Sequence, residues 1–210
     1  MIFHWSIALC LVGAYLLGSI PTSVWIGKMF YGIDIRQHGS GNAGATNALR
    51  TLGVRTGVIV LLIDVVKGSA AVALAWVVSE RFTDPELFSA FQLLLGLFAL
   101  LGHIFPVFAG FRGGKGVATL TGVVAVLFPI AFPICLAIFV VIFVLTRYVS
   151  LGSILASIAL PLVVIAIIGQ ATTAEIVFSC LVAVMVPLSH RKNIQRLLNG
   201  TENKTTFSKK

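Results

Sequence analysis

Apolar runs long enough to cross a lipid bilayer dominate this chain. They fall at about residues 5–27, 54–78, 87–109, 117–131, 133–146, 151–168 and 174–188. A helix rises 1.5 Å per residue, so crossing a hydrocarbon layer of about 30 Å takes roughly 20 apolar residues. The first three runs meet that length. The stretch 117–146 is too long for one straight span and short for two. Pro129 and Pro133 lie near its middle. Proline lacks the N–H that a helix interior needs, so the pattern predicts two short helices meeting in a tight turn. Local thinning of the hydrophobic layer would accommodate them. The expected fold is an all-α polytopic membrane protein with seven transmembrane helices in a single domain, 1–210. Composition excludes the soluble alternative. The chain is 58% hydrophobic and 10% charged, whereas soluble domains carry roughly 25% charged residues.

The basic residues orient these spans. With the N-terminus outside, the inner segments 28–53, 110–116, 147–150 and 189–210 hold Lys28, Arg36, Arg50, Arg112, Lys115, Arg147, Arg191, Lys192, Arg196, Lys204, Lys209 and Lys210. Arg55 lies at the inner edge of the second span. The outer segments hold only Arg81, beside Glu80, Asp84, Glu86 and Glu175. Lys and Arg are retained on the cytoplasmic side, which fixes this orientation and an odd number of spans. The net charge of +8 is therefore read as a membrane signature, and no nucleic acid is expected as a partner. The opening Met-Ile-Phe-His has no basic n-region, so a cleaved signal peptide is not expected. Cys10, Cys135 and Cys180 lie far apart in apolar runs. They are read as small buried hydrophobes, with no metal cluster or redox pair.

The inner loops are unusual. The first runs from Gly32 to Arg50, and nearly every residue from Gly39 to Asn47 is Gly, Ala, Ser, Thr or Asn. Glycines let backbone N–H groups approach an anion closely. Ser40, Asn42, Thr46 and Asn47 add short polar groups, and Arg50 adds a planar cation suited to phosphate. A flexible loop followed by a helix cap is the plainer alternative. The second loop carries Gly113, Gly114, Lys115 and Gly116 at the start of the fourth span, where the helix dipole favours an anion. A Walker A loop needs Ser or Thr after its GK, and here Lys115 is followed by Gly116 and Val117, which disfavours a nucleotide triphosphatase.

After the last span comes Ser189-His-Arg-Lys-Asn193 and a tail reaching Glu202. A basic stop-transfer anchor accounts for Arg191 and Lys192. It does not account for His190 and Asn193, which would share one face of a helix. The sequons at Asn199 and Asn203 lie in a tail predicted to be inside. Asp64 and Lys67 can pair within the second span, as a structural pair or as support for a site. Ser150 is read as a helix N-cap or a substrate contact.

Together these stretches resemble the bacterial acyl-phosphate:glycerol-3-phosphate acyltransferase family. The resemblance lies in Gly18-Ser-Ile-Pro21, Gly39 to Asn47 through Arg50, Gly102 to Phe108 with Gly113 to Thr119, and His190 to Asn193. It covers nearly the whole chain, in order. One departure is Lys192, where many relatives have an acidic residue. The resemblance implies transfer of a fatty acyl group from acyl-phosphate to the sn-1 hydroxyl of glycerol-3-phosphate, giving lysophosphatidic acid. It implies seven spans, no nucleotide, no acyl carrier protein and no metal; no cofactor is expected, and the expected location is the bacterial inner membrane, with the basic-residue asymmetry putting the active site on the cytoplasmic face. It points to Ser40, Arg50, Lys115, His190 and Asn193 as site residues, with an upstream acyl-phosphate-forming enzyme as a partner.

The residues fit that chemistry. Two phosphates held close together need cations and N–H donors from more than one loop, which Arg50, Lys115 and the glycines offer. The acyl chain lies among lipid and spans, and the polar acceptor enters from the cytoplasm. Donors near Lys115 could stabilise the oxyanion and the departing phosphate. His190 is one candidate base; the donor's own phosphate is the other and is preferred. A covalent route through Ser40 is disfavoured because no acid–His–Ser triad is visible. The rival is a transporter of phosphate or an organophosphate, which would place its site at mid-membrane in broken helices.

Overall fold

The computed structural model describes residues 5–169 and 171–205, with the side chains of 167 and 168 left out. The signal-peptide reading of residues 1–4 and the basic Lys209 and Lys210 lie outside the described residues. Every regular element among the described residues is helical. The α-helices are α1 Trp5–Gly18, α2 Thr22–Tyr31, α3 Ala45–Leu52, α4 Val54–Ala73, α5 Pro85–Ile104, α6 Val117–Leu127, α7 Ala131–Thr146, α8 Val149–Ile168, α9 Thr173–Ser189 and α10 Arg191–Leu198. The chain divides into two compact units, the first ending at Leu127 and the second beginning at Phe128.

Among the described residues three helical segments are long and apolar enough to cross a membrane: Val54–Arg81, Pro85–Ala109 and Val149–Ala166. The α1–α2 pair, bent by 44°, and the α9–α10 pair, bent by 62°, bring the count up to five if each is one span. The helices on either side of the proline pair are short, 11 residues for α6 and 16 for α7. Helix stops at Leu127 and restarts at Ala131, before Pro133, whose missing N–H falls in a first turn that needs none.

In the first unit, glycine permits close helix packing. A Cβ at Gly18 would overlap the backbone of Ala99, and one at Gly102 would meet the backbone of Tyr15 and Ser19. These contacts seat α1 on α5. Gly68 and Gly122 do the same between α4 and α6, against Thr119 and Val65. Between hydrocarbon-solvated helices such small-residue contacts supply the packing that water exclusion cannot. Pro21 follows the end of α1 and coincides with the bend into α2. Asp84 caps α5 by accepting from the Glu86 amide at 2.8 Å, with Pro85 at the first position.

In the second unit α8 packs against α7 and α9, and Phe128 stacks on Phe178. Glu175 belongs to a capping box: Thr172 accepts from its amide while its carboxylate accepts from the Thr172 amide at 2.8 Å. The cysteine expectation needs correction at one position. Cys10 and Cys135 are buried, but Cys180 is exposed on α9.

Candidate functional site

The first glycine-rich loop is ordered by a few side chains. Gly32 ends α2 in the left-handed conformation. Asp34 then caps a short 3-10 turn, accepting from the Arg36 amide at 3.0 Å and from the Arg36 guanidinium at 2.9 and 2.7 Å. The Arg36 hydrogen bond holds the Asp34 carboxyl well below the usual carboxylate range, against a burial effect that opposes it. The free edge of the Arg36 guanidinium donates to the Ala109 carbonyl at 2.8 Å, which ties the first loop to the second. Neither Asp34 nor Arg36 was singled out as a site residue from the sequence; their spacing two apart, within a glycine-bounded turn, was the available signal.

Asn47 is buried and its amide is fully engaged. Its Oδ1 accepts from the Ser40 amide at 2.9 Å, and its Nδ2 donates to the carbonyls of Ile35 and His38, both at 3.0 Å. Gly39 sits at φ +59, and a Cβ there would run into Asn47 and Thr51. Asn47 is therefore a bracket that shapes the loop, whereas the sequence offered it as a substrate contact. Its action leaves Ser40 exposed at the loop surface, with Asn42, Thr46 and Arg50 half-buried nearby along the chain.

The second loop is also built differently from expectation. The amides of Gly113 and Gly114 donate to the carbonyls of Ile104 and His103, each at 3.2 Å. They finish the C-terminus of α5, so they are not the open donors that the sequence suggested. The reason for glycine is space. A Cβ at Gly113 would strike the His103 carbonyl, and one at Gly114 would strike the His103 ring and the Ala43 carbonyl. Through Ala43 and Gly114 the two loops touch inside one compact unit. Lys115 and Gly116 follow, half-buried and buried, and lead into α6. Gly116 has φ +80, with Leu100 where a Cβ would stand.

The candidate residues of the second unit form their own cluster. His190 is buried at the bend between α9 and α10. Its Nδ1 lies 2.8 Å from the Val186 carbonyl. A carbonyl can only accept, so this bond places a ring proton on Nδ1, and in the neutral ring the lone pair is then on Nε2. Asn193 donates to Glu202 at 2.6 Å, Ser150 donates to the same oxygen at 2.8 Å, and Arg196 donates to the other at 2.7 Å. Burial pushes the Glu202 carboxyl up, but the three hydrogen bonds outweigh it and the net displacement is downward. Ser150 is not the N-cap of α8; that position is Tyr148. Glu202 was not singled out from the sequence. Its only mark there is that of a lone acid in a basic tail. Among the described residues no group of three or more His, Cys, Asp or Glu could hold a metal ion.

Comparison with known proteins adds to this geometry. The family model described as glycerol-3-phosphate acyltransferase matches residues 8–200. A protein of that name from Bacillus cytotoxicus is 48% identical over 204 residues, covering 96% of each chain. Another, from Halalkalibacterium halodurans, is 48% identical over 199 residues, covering 93% of this chain and 94% of its own. Among solved structures, the glycerol 3-phosphate form of PlsY (YgiH), an integral membrane glycerol 3-phosphate acyltransferase, is 37% identical with a TM-score of 0.85, covering 96% of both chains. Its lysophosphatidic acid form has a TM-score of 0.82 at the same identity and coverage.

Proposed function

Because the chain belongs to the glycerol-3-phosphate acyltransferase family, we propose that its fatty acyl donor is an acyl-phosphate and that the acyl group passes to the sn-1 hydroxyl of glycerol-3-phosphate. The protein is an integral membrane acyltransferase that makes lysophosphatidic acid. The observation that carries the proposed mechanism is the contact of Gly114 with Ala43. It sets the loop bearing Ser40, Asn42, Thr46 and Arg50 against the loop bearing Lys115, in one unit. Two phosphates repel each other, and this pairing offers a cation from each side. Arg50 grips the acceptor phosphate, and Lys115 with the amides opening α6 receives the donor phosphate as it leaves.

The reaction forms a bond between the glycerol oxygen and the acyl carbon and breaks the carbon–oxygen bond to phosphate. The hydroxyl proton must leave. The donor phosphate can take it directly. A second reading has His190 as base, supported by the Nδ1 bond to Val186, which in the neutral ring puts the basic lone pair on Nε2. Asn193 and Ser150 act through Glu202, which fastens the tail to α10 and α8. We further propose seven spans in the bacterial inner membrane, an outer N-terminus, a cytoplasmic site, and supply of the donor by an acyl-phosphate-forming enzyme.

Purified protein in detergent tests the assignment. Labelled glycerol-3-phosphate should be acylated by palmitoyl-phosphate, without ATP or Mg²⁺ and in the presence of a chelator. Efficient use of palmitoyl-CoA alone, or loss of activity on chelation, contradicts it. Product formation also separates this reading from transport, since detergent leaves no compartments. The basic-residue asymmetry is tested by thiol labelling in a cysteine-free background. Glu80→Cys and Thr172→Cys should react from outside, and Gln37→Cys and Lys204→Cys should not; outside labelling at position 204 contradicts seven spans.

A further inference from the structure

We propose that Lys67 is a positioning residue for the acyl transfer, holding the floor on which both anion-binding loops of the first unit rest; this depends on the site placement proposed above. Lys67 and Asp64 lie on α4 and are 4% and 1% exposed. The Lys67 ammonium donates to the Asp64 carboxylate and to the Ile20 carbonyl, both at 2.8 Å. Thr22 donates to the same carboxylate oxygen at 2.9 Å. Ile20 and Thr22 flank Pro21, where α1 has ended and α2 begins. The pair therefore fastens the break in the first helical pair to α4, one short helix ahead of the first loop.

Lys67 also lines a pocket that reaches the second loop. Thr22, Ala43, Lys67, His103, Gly113 and Gly114 line one small pocket. His103 is buried, with Nδ1 3.0 Å from the Thr119 hydroxyl, and its Nε2 edge is where a Cβ on Gly114 would strike. Thr119 is also where Gly68, the neighbour of Lys67, meets the backbone of α6. Lys67 is thus referenced to α6, which begins two residues beyond Lys115.

Burying two charges within a span costs more than burying two apolar side chains of the same size, which could join the helices as firmly. What an apolar pair cannot do is fix direction. The directed bonds here end on the break leading to the first loop, and the pocket wall is the underside of the second.

The test compares full-length wild type, the double variant Asp64→Asn with Lys67→Met, Lys67→Arg and Arg50→Ala, purified in detergent. Thermal unfolding and initial rates against glycerol-3-phosphate are measured together. The double variant buries no charge and keeps side-chain volume, so it should melt close to wild type. Its kcat/KM should still fall by about tenfold, mainly through a raised KM, because displaced loops grip phosphate less well in ground and transition states alike. Lys67→Arg, which keeps the charge and donors, should recover part of that loss. Wild-type kinetics in the double variant overturn the proposal: if Arg50→Ala is impaired the site placement stands, and if Arg50→Ala is also unaffected the site placement falls too. Should the double variant not fold, Thr22→Val, which removes one hydrogen bond to Asp64, carries the test. Its KM should rise by about twofold or more in protein that is still folded at the assay temperature, and an unchanged KM overturns the proposal.

Discussion

The first unit shapes its candidate site with backbone, and the second with one carboxylate. In the first, Asn47 bonds to three main-chain groups, and glycines fill places where no side chain fits. In the second, Ser150, Asn193 and Arg196 all converge on Glu202. A site shaped mainly by glycines and main-chain contacts should fail by steric displacement, with acid reaching it through Asp34 alone among the groups described above. A site shaped by a carboxylate should fail when that group is removed or protonated.

The largest effect is expected at Glu202. Glu202→Leu takes away the carboxylate to which the buried Asn193 and Ser150 side chains donate. Arg196 is 36% exposed and can return to water, so its share is discounted. The loss should be about 2–5 kcal/mol of stability, read by thermal or denaturant unfolding. A variant as stable as wild type would mean that the tail is held by something other than the carboxylate.

Gly114→Ala should come next. The added methyl meets the His103 ring and the Ala43 carbonyl, and forcing a methyl into a filled space costs about 1–3 kcal/mol. Much of this should appear as displacement of the two loops, lowering kcat/KM by roughly tenfold. Wild-type kinetics would show that the loops need not touch for activity.

Acid should act most through the second unit. The Glu202 carboxyl is displaced downward from its ordinary value of 4.5 on folding. A lowered carboxylate stabilises fully above its unfolded pKa, and that stability is lost as pH falls through the folded value. Melting temperature should therefore drop below about pH 4.5 in wild type, and less steeply in Glu202→Gln. Equal slopes would remove Glu202 from the acid response. Asp34, held low by Arg36, contributes with the same sign, so some slope should persist.

These contrasts also explain what was legible in the sequence. Apolar run length and two prolines are local signals, and the helices from α4 to α9 follow them. The glycine loops stood out because side-chain size is local too. What the glycines do was not local. Gly113 and Gly114 suggested open amides, yet the end of α5 has carbonyls that need those amides, and only the fold brings them within reach. Asn47 read as a ligand because its type is polar, and the partners that engage it lie 7 to 12 residues away. Glu202 stays hidden because Ser150 reaches it across 52 residues.

The most direct measurement is the steady-state kinetics of Arg50→Ala and His190→Ala side by side, with acyl-phosphate saturating and folding checked. In the proposed mechanism Arg50 serves the binding of phosphate in ground and transition states alike. Its loss should raise KM for glycerol-3-phosphate by roughly one to two decades, the equivalent of about 1.5–3 kcal/mol for a charge-assisted hydrogen bond, with kcat nearly unchanged. His190→Ala should lower kcat, as expected for a group that orients or deprotonates the hydroxyl. Wild-type kinetics in both well-folded variants would contradict the placement of phosphate binding and proton handling on these residues.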